Sequence, residues 1–242
     1  MSTAEIVQDR KPDDDKVMTI LEHLQELRSR LMICTLALII GISVSFYPLS
    51  NWAIKLLKKP AEDRVENFEL IFTQPLEYWT TYFRVSLLLG FAIAMPVILW
   101  QVMSFIGPGL TKGEKRWAYP IVTGASLMFL GGCAFAYYIE MPPALGFLLG
   151  SAGDNARPFI SIKYYIDFAT RLMLVTGLVF ETPLLVMGLA KVGVVNSRKL
   201  LRWWRFAFIG AFVLSAIVTP SVDPITQCLV AFPMIIDRKS VV

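Results

Sequence analysis

The 242-residue chain carries 23 Lys+Arg against 19 Asp+Glu, a formal net charge of +4, and is 55% hydrophobic with a mean hydropathy of +0.58. Only 17% of its residues are charged, against about 25% in soluble globular domains. It has no Gly-rich nucleotide loop, no Cys/His cluster and a single histidine, His23. ATP-driven pumping, metal catalysis and histidine acid–base chemistry therefore lack their parts; no enzyme activity, cofactor, metal or nucleic-acid partner is expected.

Residues 1–30 lack the basic-then-apolar order and cleavage site of a signal peptide and form an N-terminal segment. Within it, TILEHLQELRSRL (19–31) places Leu21, Leu24, Leu27 and Leu31 at helical spacing, with Glu22, Glu26 and Arg30 stacked four apart on another face. This predicts an amphipathic interfacial helix leading into the membrane. Charge-free runs follow at 31–54, 85–111 and 117–139, each longer than the about 20 apolar residues a spanning helix needs. Residues 172–190 make a fourth span if Glu181, near their middle, is admitted. Two shorter runs, 206–218 and 225–236, read as short spans joined by a tight turn in a locally thinned bilayer, in preference to a re-entrant hairpin. The membrane domain is thus 31–236. The final residues 237–242, DRKSVV, read as a truncated or appended end.

The expectation is an all-α integral membrane protein of six transmembrane helices. Six spans put 15 Lys+Arg on the side of both termini and 6 on the other. The excess of basic residues marks the cytoplasmic side, so both termini are expected there. Cys34, Cys133 and Cys228 all lie in apolar runs without metal spacing and read as small lipid-compatible side chains.

Three acids stand out. Glu26 lies in the amphipathic segment. Glu114 is the lone acid of the basic loop GPGLTKGEKRW (107–117). Taken singly they read as ordinary members of an interfacial helix and, the more so for Glu114, of a positive-inside loop; together, at membrane level, they could chelate the guanidinium groups of a basic peptide. Glu181 is costly within a span, about 2.5–3.5 kcal/mol on insertion scales. It suits a polar anchor for a partner helix or a bilayer-thinning defect, a group satisfied inside the bundle, or a proton-coupled transporter of a small solute.

The blocks HLQELRSRL, FIGPGLTKGEKR, GLVFETP and TPSVDPITQ…AFPM, in this order from about residue 18 to 234, resemble the TatC family, the multispanning receptor subunit of the twin-arginine protein translocase. The resemblance implies six helices curved into a glove-like concave wall in the cytoplasmic (inner) membrane, and recognition of twin-arginine signal peptides on folded precursors. It also implies use of the proton-motive force and assembly with TatA and TatB, single-span subunits, with self-association of the receptor. By motif position it implies a signal-peptide site of Glu26, Glu114, Arg28 and Phe105, and an intramembrane glutamate at Glu181. A partner helix would dock at Thr219 and Gln227, and Pro60, Pro96 and Asp223 would match further family positions.

Overall fold

The computed structural model describes residues 20–63, 69–106, 118–150 and 159–183, with 209–210, 212–213, 215–216, 227–228 and 230–231. Helix α1 runs Ile20–Phe46, 27 residues, or about 40 Å at 1.5 Å per residue. The amphipathic segment and the first span are therefore one continuous helix. Large apolar side chains, among them Leu31, Met32, Leu36, Ile39, Ile40 and Val44, stand exposed along it, a surface suited to hydrocarbon and not to water. The apolar run continues to residue 54, but α1 stops at Phe46 because Pro48 has no N–H to continue the ladder.

Pro48 instead opens helix α2, Pro48–Glu62, where a first-turn proline costs no hydrogen bond. Its Ser50, Ala53, Ile54, Leu57, Pro60 and Ala61 are buried, a three/four spacing that turns one face onto the bundle. Pro60 sits inside this helix and leaves the Leu56 carbonyl without its usual donor. The Tyr137 hydroxyl donates to that carbonyl at 2.9 Å, and the Tyr165 hydroxyl donates to Leu57 O at 2.6 Å. Pro60 thus frees one of the two adjacent carbonyls at which tyrosines of other helices are tied to α2.

A two-residue strand β1, Leu70–Ile71, precedes helix α3, Glu77–Ile106. The span expected at 85–111 begins earlier than its charge-free run because Arg84 is paired with Asp167 of a neighbouring helix. A paired charge near a span end is tolerated where a bare one is not. Gly41 of α1 and Gly90 of α3 meet so closely that a Cβ on Gly41 would lie 2.5 Å from Gly90 O. Just beyond this crossing, Ser45 donates to Ser86 O at 2.9 Å, and the Ser50 and Ser86 hydroxyls lie 2.7 Å apart.

Helix α4, Ala118–Phe135, passes without a break into a π-helical turn, Ala136–Glu140, and then into α5, Met141–Gly150. Pro142 and Pro143 cannot donate to the carbonyls of Tyr138 and Ile139, and the Met141 N–H bonds to Ala136 O in the i to i−5 pattern. The third span therefore does not end at residue 139. It carries Glu140 within it, and residues 142–150 are helical.

Strand β2, Ile160–Ser161, pairs in parallel with β1, Leu70 opposite Ile160 and Ile71 opposite Ser161. Helix α6 then runs Ile162–Phe180. The helix of the expected fourth span, 172–190, thus starts ten residues earlier, and Glu181 is the C-cap of α6, where Pro183 cannot donate to Val179 O; residues 184–190 of that run lie outside the described residues. Among the described residues, three stretches are long and apolar enough to cross a membrane, Leu21–Phe46, Glu77–Phe105 and Pro120–Leu149. The last two short runs lie mostly outside the described residues. Where described, they touch: Ser215 donates to Gln227 O at 2.7 Å and the Gln227 amide to Phe212 O at 3.4 Å.

Candidate functional site

At the N-terminal end of α1, against the C-terminal end of α3, five polar and aromatic side chains gather. The four-residue spacing puts Arg30 on Glu26, as helix geometry requires. Arg30 Nε donates to Glu26 Oε1 at 3.0 Å, its Nη2 reaches the same oxygen, and its Nη1 lies 3.4 Å from Gln101 Oε1 of α3. His23 stacks on Phe105 with ring centroids 4.5 Å apart, and its Nδ1 is 4.0 Å from Glu26 Oε2. That second oxygen is enclosed and accepts no hydrogen bond among the described residues. The carboxylate is thus clamped on one side and shut in on the other.

Two of the expected site residues, Glu26 and Phe105, are brought together here, with His23 between them. Arg28 is not with them. Two residues on from Glu26, it lies on another face of α1, exposed and bordering a shallow groove of about 510 Å³ with Leu24, Leu31 and Leu36. Glu114, Thr219 and Asp223 lie outside the described residues. Pro96 lies within α3 and is exposed.

A second constellation lies where α4 crosses α6. A Cβ on Gly132 would come within 2.8 Å of Gly177 Cα, so the two backbones nearly touch. Glu181, four residues past Gly177, is 2% exposed, and neither carboxylate oxygen has a hydrogen-bond partner among the described residues. Glu140 is fully buried and accepts from the Thr176 hydroxyl at 2.7 Å, its other oxygen having no partner among the described residues. The sequence reading missed Glu140 because it closed a charge-free run. A signal was present: Phe129, Cys133, Ala136 and Glu140 form one helical stripe, and all four are buried.

A third acid, Glu77, was also missed. It is 4% exposed at the start of α3. Its Oε2 accepts from Thr73 N–H at 2.7 Å, the Thr73 hydroxyl at 2.9 Å and Gln74 N–H at 3.2 Å. Its Oε1 accepts from the Ser161 hydroxyl and from Lys163 N–H at 3.2 Å, at the N-terminus of α6. Negative charge is favoured at that helix end.

Long apolar helices, a carboxylate held at each end of α3, Glu77 at its start and Glu26 beside its last turns, and buried carboxyls within the bundle define a multispanning membrane protein that offers polar groups for binding. Residues 22–233 match the family described as Sec-independent protein translocase protein (TatC). The chloroplastic TATC of Arabidopsis thaliana is 38% identical over 237 residues, covering 97% of this chain and 68% of that protein. TatC of Aquifex aeolicus (strain VF5) is 38% identical over 221 residues, 90% of this chain and 91% of its own. A crystal structure of the twin arginine translocase receptor TatC superimposes with a TM-score of 0.81 at 37% identity, over 91% of this chain and 96% of that one. The chain belongs to the TatC family. It is a protein-translocase component and not an enzyme, as the sequence resemblance implied.

Proposed function

We propose that this chain is the receptor that binds twin-arginine signal peptides and, with the single-span subunits TatA and TatB, helps move folded precursors across the cytoplasmic (inner) membrane at the expense of the proton-motive force. The observation that carries this reading is Glu26. It is a carboxylate held at the end of the bundle between α1 and α3, beside His23 and Phe105, in a chain whose solved relative is a twin arginine translocase receptor. Glu114 is the second acid of the site, Arg28 is assigned to it by resemblance although it stands on another face of α1, and Thr219 and Gln227 belong to the partner-helix dock. The receptor self-associates, as its resemblance to the family implies.

Glu26→Ala or Glu114→Ala is expected to weaken binding of a twin-arginine peptide by about 1.5 kcal/mol, roughly tenfold, the loss of one charge-assisted pair. Lysine at either position should cost more, since repulsion replaces attraction. Fluorescence anisotropy with a labelled signal peptide and the full-length chain in lipid nanodiscs reads both effects. Unaltered binding by the double lysine variant would reject the assignment.

Six spans with both termini cytoplasmic complete the reading, supported by the distribution of basic residues, fifteen against six. Single cysteines placed in 107–117 and in 151–158 are expected to react with an impermeant thiol reagent from opposite faces. Reaction of both from one face would overturn this topology.

A further inference from the structure

We infer that Arg30 is an internal competitor for the signal-peptide site: its guanidinium occupies Glu26 as a signal arginine would, and it must let go before a peptide arginine can bind. The inference rests on the proposed receptor role of Glu26 and adds a specificity-determining residue to it.

The geometry leaves an incoming cation no free oxygen. Glu26 Oε1 is taken by two nitrogens of Arg30, one of them at 3.0 Å, and Oε2 is enclosed within the protein. The side chains of Glu26 and Arg30 are only 20% and 23% exposed, so the pair is not a solvated surface contact of the kind that contributes little. Arg30 also has somewhere to go. Its Nη1 already lies 3.4 Å from Gln101 Oε1, an acceptor on α3 that can keep the guanidinium hydrogen-bonded once Glu26 is surrendered. His23 and Phe105, stacked at 4.5 Å, lie beside the carboxylate and limit its freedom to turn outward.

Competition of this kind filters ligands. A site closed by its own arginine has its apparent affinity reduced by the fraction of time it is open. Only a ligand that matches or exceeds the internal guanidinium displaces it. A planar, bidentate arginine does so, whereas a lysine ammonium makes a single-point contact and does not. The internal arginine therefore sets a threshold that a twin-arginine motif passes and a twin-lysine motif fails.

The test measures binding of a twin-arginine signal peptide and of its twin-lysine counterpart to the full-length chain in lipid nanodiscs. Arg30→Gln is expected to tighten twin-arginine binding about tenfold, the worth of one charge-assisted pair, and to raise twin-lysine binding by at least as much, narrowing the ratio between them. Arg30→Lys, which keeps the charge but cannot chelate, should give an intermediate gain, and serves if the glutamine variant folds poorly. Adding Glu26→Gln to Arg30→Gln should abolish the gain. Unchanged or weaker twin-arginine binding in both Arg30 variants, with Glu26→Ala still impaired, would overturn the competitor. Full binding by Glu26→Ala would instead sink the receptor assignment on which it rests.

Discussion

Glu77→Ala is expected to lower the thermal unfolding midpoint by roughly 10 °C, several times the shift of an ordinary surface substitution. One carboxylate accepts five hydrogen bonds, three from Thr73 and Gln74 before α3 and two from Ser161 and Lys163 at the start of α6. Alanine removes the cost of holding a buried acid but orphans all five donors, three of them backbone N–H groups, and the orphaned donors decide the sign. The residues so joined flank the β1–β2 pair, so the loss should spread to the end of the bundle where α3 begins and α6 starts. Glu77→Gln keeps one oxygen and turns an amide donor toward other donors, and should fall between wild type and alanine. Differential scanning fluorimetry in detergent ranks the three. A midpoint unmoved by alanine would show that the clamp contributes nothing.

The parts of this fold legible in the sequence are those set by solvent. Apolar runs long enough to cross hydrocarbon marked α1, α3 and α4 because transfer out of water depends on composition and length alone. The parts not legible depend on partners distant in the chain. Arg84 looked like the edge of a span until Asp167 neutralised it. Glu140 looked like another edge, although Thr176 and a buried stripe hold it inside. Pro142-Pro143 signals a loop by local rules, yet a π turn absorbs the two missing donors and the helix continues.

At the site, local spacing was enough to predict that Arg30 stacks on Glu26, since both lie on one helix. The same geometry separates Arg28 from Glu26, because residues two apart do not share a face. No spacing rule brings Phe105 and Gln101 to His23 and Arg30. That depends on α3 packing against α1, which the Gly41–Gly90 contact permits. Pro60 was carried over by resemblance alone. Its physical role, freeing the Leu56 carbonyl for Tyr137, needed the tertiary structure.

Glu181 is expected to separate stability from transport. It is 2% exposed, caps α6, and has no hydrogen-bond partner among the described residues. Glu181→Met, apolar and of similar volume, should therefore raise stability by about 1 kcal/mol, because no hydrogen bond is lost and a desolvated acid is removed. If Glu181 is a polar anchor for a partner helix, the same variant should transport poorly, and so should Glu181→Ala. Glu181→Gln should transport well, since the amide still donates and accepts. A proton-carrying role orders the variants differently: glutamine cannot titrate, so it should be as damaging as alanine. Precursor export at matched expression, read beside the unfolding midpoint of each variant, decides between them. Equal loss in glutamine and alanine would defeat the anchor. Full export by alanine and methionine, with the midpoint raised for methionine, would show that the bundle merely tolerates an acid it could do without.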